Sequence, residues 1–281
     1  MIKGNTLKVE TDGGNIGHSF NDHQFASLSY YLIHEPNIDN IYLHYHDNSD
    51  SVLEEFIDYF TNKKLFNAKK NYYFNLNMVT IFFMNENKKF YFGNAKSCIE
   101  FENLIFPPSA RFFDNHPNYT DVFQKLYDNY VLYKNINNLN NDPIELSILY
   151  RTNSMPLSDG RNIINISYLE DYLKTNKIVY KLLPLNEEYG FVDLVNILNN
   201  SKNIVCFWGC ELTYGMFMQK KSKIIELNYG HHTWWKKMAE YFINYGLIYE
   251  VLMFKLDELD NKNLIVNDEF CKNLHLKLHN V

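Results

Sequence analysis

The sequence predicts an α/β protein whose C-terminal half is a parallel sheet of βα units, and three observations carry that prediction. From Leu146 onward, short apolar strands alternate with helical stretches of about ten residues, the pattern of strands joined by crossover helices. Runs such as IVCFW and IIEL are apolar almost throughout, as strands buried on both faces must be. Ahead of them, Lys134 to Pro143 (KNINNLNNDP) is polar, poor in apolar residues and closed by a proline, which marks a linker.

In the first half the elements are less regular. Gln24 to Ile33 reads as a buried helix, Ile41 to His46 as a strand, and Ser51 to Thr61 as an amphipathic helix. Met78 to Met84, rich in β-branched and aromatic residues, reads as a core strand. Phe90 to Phe92 and Ile99 to Ile105 add strands, and Asn118 to Tyr133 a helix. After the linker come strand Leu146–Tyr150, helix Ser167–Thr175, strand Ile178–Leu183, helix Tyr189–Asn199 and strand Ile204–Trp208. Helix Leu212–Met218, strand Ile224–Leu227, helix Trp234–Tyr245 and strand Leu247–Phe254 complete the series. The expected domains are 1–141 and 142–281, a division that 281 residues at 46% hydrophobic content can sustain with a core in each.

Composition narrows the function. A formal net charge of -6 argues against nonspecific nucleic-acid binding, which needs a basic face to release phosphate counterions. The N-terminal MIKGNTLKVETDGG lacks a signal peptide's layout, and Met78 to Met84 is too short to span a bilayer, so a cytoplasmic protein without a membrane span is expected. Cys98, Cys206, Cys210 and Cys271 form no zinc-type pair and read as reduced thiols.

Parallel sheets bind ligands beyond the carboxyl ends of their strands, so chemistry is sought in the loops after Tyr150, Leu183, Trp208 and Leu227. Among 27 Lys and Arg, only Arg111, Arg151 and Arg161 are arginines. Arg151 directly follows a strand and Arg161 precedes the next helix, where a planar guanidinium suits a diphosphate; the plainer reading is two solvated loop charges. Arg111, in PPSARFF, reads as interdomain or structural. Gly209 follows a buried strand and lets the backbone approach a ligand, or simply makes a tight turn. Glu226, at the end of IIEL, suits a ribose diol, or a pair with a lysine such as Lys223. His18 and Asp22 stand four apart before a helix and can meet as a base pair, or serve as a packed histidine and an N-cap. His231, His232, Trp234 and Trp235 could shape a sugar or base pocket, with at least one of the tryptophans in the core. Asp47 to Asp50 resembles a metal-binding acidic pair but sits in a histidine-rich polar turn and is read as a loop.

Taken in order, these pieces resemble glycosyltransferase family 61. Gly14, Asn15, His18, Phe20 and Asp22 fit its N-terminal segment; Arg151, Arg161, Ile163, Asn165 and Leu169 its arginine-led stretch; Asp193, Gly209, Leu212, Thr213 and Phe217 its donor-loop segment. Glu226, Trp235, Ala239, Tyr241, Phe242 and Tyr249 continue the pattern. Departures fall in the donor loop, where Trp208, Cys210, Glu211 and Tyr214 replace the His, Ala, Gly and Asn of His-Gly-Ala-Gly-Leu-Thr-Asn. The resemblance implies a GT-B fold of two Rossmann-like domains facing a cleft, and inverting transfer from a nucleotide-sugar, most commonly a UDP-sugar, to a glycan or glycoconjugate hydroxyl. It implies no cofactor and no essential metal. Donor contacts would fall to Arg151, Arg161, Asn165, Gly209, Leu212, Thr213 and Glu226 in the C-terminal domain, and the catalytic pair to His18 and Asp22 on the N-terminal acceptor side. The altered loop also fits an inactive nucleotide- or glycan-binding relative, and the arginines a fucosyl- or sialyltransferase using another nucleotide.

Overall fold

The structure is a computed structural model, and it describes residues 1–11, 24–46, 49–67, 72–107, 118–151, 162–185, 189–229, 236–254 and 263–279. The chain forms two compact units, Met1–Asn138 and Leu139–Val281, each built on a parallel sheet. No helix among the described residues is long and apolar enough to cross a membrane.

The first unit runs β1 (Ile2–Thr11), α1 (Phe25–His34), β2 (Asn40–Tyr45), α2 (Asp50–Thr61), α3 (Tyr72–Phe83), β3 (Lys89–Asn94), β4 (Phe101–Ile105) and α4 (Tyr119–Ile136). Its sheet order is β3-β2-β1-β4, all parallel, so β4 follows β3 in the chain yet joins the opposite edge. Leu7 and Val9 alternate with Lys8 and Glu10, and only the first pair is buried. That period of two puts one face of β1 in the core with Ile41 and Leu43 and leaves the other half-exposed. Phe25 and Leu28 of α1, Phe82 of α3, and Phe123 and Leu126 of α4 are fully buried. In the acidic segment, Ser49 caps α2 by accepting from the Val52 amide, and Asp50 accepts from the Asn94 side chain at 2.8 Å.

Three expectations need correction here. Met78 to Met84 is not a strand: its residues up to Phe83 form the end of α3 and Met84 follows in a turn. Met78, Val79, Ile81, Phe82 and Phe83 are buried around the whole circumference of that helix, which erases the polar stripe that would have shown a 3.6-residue period. Two of its polar residues bond locally: Asn77 exchanges two hydrogen bonds with the Phe66 backbone, and the Thr80 hydroxyl donates to the Leu76 carbonyl. β1 was unforeseen, although it lies between β2 and β4. The expected linker is shorter, because α4 takes in residues up to Ile136 and buries Lys134.

The second unit runs β5 (Ile144–Tyr150), α5 (Ile166–Thr175), β6 (Tyr180–Pro184), α6 (Phe191–Asn199), β7 (Ser201–Phe207), a 3-10 helix (Cys210–Phe217), β8 (Lys223–Asn228), α7 (Lys236–Tyr245), β9 (Ile248–Met253) and α8 (Asp268–His279). The order β6-β5-β7-β8-β9, all parallel, is doubly wound. β6 lies on one side of β5, and every later strand on the other. The gap between the carboxyl ends of β5 and β7 is therefore the topological switch point, where such sheets take ligands.

Leu146, Ile148, Val205, Phe207, Ile225 and Leu227 pack with Leu169 and Leu173 of α5 and with Phe270, Leu274 and Leu278 of α8. By alternation, Cys206, Glu226 and Asn228 belong to the opposite face. The 3-10 helix lies there, with Gly215 against Ile224 and Phe242; a Cβ on that glycine would come within 2.7 Å of the Ile224 side chain. An α-helix was expected over Leu212 to Met218, but Thr213 and Gly215 are poor α formers and the segment winds more tightly.

Candidate active site

Two elements meet at the switch point through one ion pair. Arg151, the residue after β5, donates from Nε to Glu211 Oε1 at 2.8 Å, and its Nη2 lies 2.6 Å from the same oxygen. Glu211 belongs to the first turn of the 3-10 helix that follows β7. Their side chains are only 9% and 7% exposed, so water screens this pair weakly. Arg151 also forms a parallel bridge with Asn162, which brings the chain following Arg161 back beside it; Arg161 itself lies outside the described residues.

Gly209 begins the 3-10 segment at φ 145° and ψ -165°, a region that only glycine occupies without strain. Its carbonyl accepts from the Leu212 amide, closing the turn. Gly209→Ala is expected to cost about 1–3 kcal/mol, read as a lower melting temperature. An unchanged melting temperature would show that the turn tolerates another geometry. Leu212 and Thr213 are fully buried, and the Thr213 hydroxyl has no hydrogen-bond partner among the described residues.

Glu226 on β8 is 5% exposed and does not pair with Lys223. Three positions apart on a strand, the two point to opposite faces. Lys223 pairs instead with Glu250 at 2.9 Å and donates to the Lys277 carbonyl of α8. Glu226 accepts from Asn228 Nδ2 at 2.7 Å through Oε1 and from the Tyr249 hydroxyl through Oε2. Burial pushes its carboxyl above the ordinary value of 4.5, partly offset by those two donors. β5 and β8 are the two neighbours of β7, so Arg151, just past the end of β5, and Glu226, on β8, belong to segments flanking the same central strand.

Asn165 is a structural tie. Its amide donates to the Val266 carbonyl and its oxygen accepts from the Val266 amide, both at 2.7 Å. This joins the entry of α5 to the segment leading into α8. A cavity of about 410 Å³ beyond β9 is lined by Leu252, Phe254, Leu264, Asn267 and Phe270 among others, and its described lining includes no cationic side chain. A phosphate has better company at Arg151.

In the first unit, His18 and Asp22 lie outside the described residues, as do Arg111, His231, His232, Trp234 and Trp235 elsewhere in the chain. The described carboxyl edge of that sheet carries a different pair. His46 Nε2 lies 3.0 Å from Glu10 Oε2, and Lys8 Nζ lies 2.9 Å from Glu10 Oε1. Burial opposes ionisation of Glu10, yet the His46 and Lys8 hydrogen bonds hold its carboxyl down at about 2. Sequence reasoning missed this pair, as it missed the partners of Arg151 and Glu226. Glu211 carried a signal as the acid in the loop after β7; the contacts between Glu10 and His46, or Glu226 and Tyr249, join residues too distant in sequence to leave one.

Two parallel sheets in two units, one doubly wound with a buried arginine at its switch point, define a Rossmann-like α/β protein of the kind that holds ligands at strand ends. The family model Glycosyltransferase 61 matches residues 16–225, and the chain belongs to that family; it is a glycosyltransferase. No curated protein matches the chain.

Proposed function

We propose that the protein transfers a sugar from a nucleotide-sugar, a UDP-sugar foremost, to a hydroxyl of a glycan or glycoconjugate, with inversion and without an essential metal. The observation that carries this reading is Arg151 at the switch point of the doubly wound sheet. As the acceptor hydroxyl attacks the anomeric carbon, the bond from that carbon to the leaving phosphate oxygen breaks and negative charge grows on the nucleotide. A fixed guanidinium takes up that charge in the transition state. Residues 142–281 supply the donor contacts, with Gly209 and the Thr213 hydroxyl in the loop and Arg161 as a second cation. Residues 1–141 supply the acceptor side, with His18 and Asp22 as the base and its partner.

Thermal-shift measurements with UDP, GDP and CMP test the nucleotide, because a ligand of the native state raises its melting temperature. Stabilisation by UDP alone is expected; stabilisation by GDP or CMP alone would move the protein to fucosyl or sialyl chemistry. One observation favours a second reading, a nucleotide-binding relative without turnover: Glu211 already compensates the charge of Arg151. Release of free UDP from UDP-sugars in the presence of acceptor glycans supports transfer. UDP binding with no release from any donor would support the second reading.

Glu226 is assigned to the nucleotide ribose, since each of its oxygens accepts one bond within the protein and keeps a further lone pair. Glu226→Ala is expected to raise the donor dissociation constant more than it slows the saturated reaction; a collapse of kcat alone would move Glu226 into the chemistry. Its raised pKa has a separate sign. The folded state holds the proton more tightly than the unfolded one, so this contribution to stability is complete below 4.5 and is lost as pH rises through the folded pKa. Glu226→Gln, with no charge to desolvate, is therefore expected to raise the melting temperature near neutral pH and to leave it nearly unchanged near pH 4, while weakening nucleotide binding.

A further inference from the structure

We propose that Glu211 is an internal anion that competes with the nucleotide's phosphates for Arg151, and that it thereby keeps the nucleoside diphosphate product loosely held. The proposal rests on the reading of the switch point as a nucleotide-sugar site and assigns to that site a charge-selecting residue.

The geometry is specific. Glu211 Oε1 takes both Nε and Nη2 of Arg151, the edge of the guanidinium that offers two parallel donors to a phosphate. A phosphate using that edge must displace Oε1, and one using the remaining donors sits close to a carboxylate. Both routes weaken binding in proportion to the ligand's charge, and burial of the pair leaves little screening to soften the effect. The fold keeps the carboxylate there. Glu211 lies in the first turn of the 3-10 helix, whose Gly209 turn and fully buried Leu212 anchor it beside β7.

Consequence follows from the chemistry of transfer. A nucleotide-sugar carries its diphosphate as a diester; breaking the bond to the anomeric carbon leaves a terminal phosphate with additional negative charge. Glu211 therefore repels the product more than the donor, and the ion pair with Arg151 re-forms as the product leaves. No group other than the nucleotide and the acceptor is needed for the balance.

The test is calorimetric titration of uridine, UMP and UDP into the full-length wild type and Glu211→Gln, with melting temperatures as the folding control. Glutamine keeps a carbonyl oxygen for Arg151 and removes the charge. The expected result is UDP binding tightened about tenfold or more, UMP by less, and uridine within about twofold, with stronger UDP inhibition of transfer. Equal or weaker UDP binding in a folded Glu211→Gln would overturn the proposal, leaving Glu211 as a residue that merely positions Arg151. Should Glu211→Gln fail to fold, the wild type decides: UDP binding no more than about tenfold tighter than uridine supports the competition, and a hundredfold or greater preference overturns it. Absence of binding by all three to the folded wild type would sink the uridine-nucleotide reading itself, an outcome distinct from nucleotide binding that ignores Glu211.

Discussion

Replacing Arg151 by alanine is expected to lower kcat/KM by about a thousandfold and to destabilise the protein at the same time. On the proposed donor site, the first effect is the loss of a preorganised cation where charge grows on the leaving nucleotide, which costs about 100- to 1,000-fold for a single donor in comparable sites. The weakened hold on the donor adds to it. The second effect arises because Glu211, 7% exposed on its side chain, would be left as a buried charge without its cation; breaking one partner of such a pair costs about 3–5 kcal/mol. Two further variants separate the effects. Arg151→Lys keeps a charge but offers no planar fork, so partial stability and a rate between alanine and wild type are expected. The double variant Arg151→Met with Glu211→Leu removes both charges and fills the space, which restores most of the stability without restoring transfer. Steady-state kinetics and melting temperatures on all three suffice. Wild-type transfer by the folded double variant would place the donor phosphates away from Arg151.

The second unit was legible because a parallel sheet covered on both faces leaves unbroken apolar runs. Ile148 to Tyr150 and Ile204 to Phe207 are such runs, and the expected strands Leu146–Tyr150 and Ile204–Trp208 began two and three residues late, where Glu145, Lys202 and Asn203 break the apolar pattern. The first unit was harder for the same physical reason turned around. Its sheet buries one face of β1, so Lys8 and Glu10 interrupt Leu7 and Val9, while α3 is buried on all sides and shows a strand-like run. α8 was passed over although Phe270, Leu274 and Leu278 repeat at helical spacing and complete the core over β5, β7 and β8. The site divides in a similar way. The rarity of arginine drew attention to Arg151, but nothing in the sequence joins it to a glutamate sixty positions later. Glu226 was visible as a strand-end acid, whereas Tyr249, which donates to it, comes from the next strand.

Substitutions at His18 and Asp22 are expected to lower kcat by about 100- to 10,000-fold, the usual worth of a positioned acid–base group, with little change in melting temperature. Both residues fall within the stretch matched by the family, residues 16–225. Topology gives their connection significance: β1 ends at Thr11, α1 begins at Phe25, and β1 has β2 on one side and β4 on the other. β1 thus ends at the sheet's own switch point, the place where parallel sheets meet ligands. An inverting transfer needs one base, on the face of the sugar opposite the leaving nucleotide. Histidine, with an unperturbed pKa of about 6.5, is ready at neutral pH, and an aspartate in a site that loses water rises toward the same range. We assign the proton to Asp22, with His18 orienting it. The plainer role, an Asp that caps a helix, predicts something different: Asp22→Asn would keep the cap and the activity, because asparagine caps about as well. A base does not survive that change. Transfer by Asp22→Asn and His18→Ala is therefore to be measured at saturating donor, with His46→Ala as a third variant, since His46 and Glu10 stand at strand ends of the same sheet edge. Near-wild-type rates in the first two, with a collapse in the third, would move the base to His46 and leave His18 and Asp22 as structure.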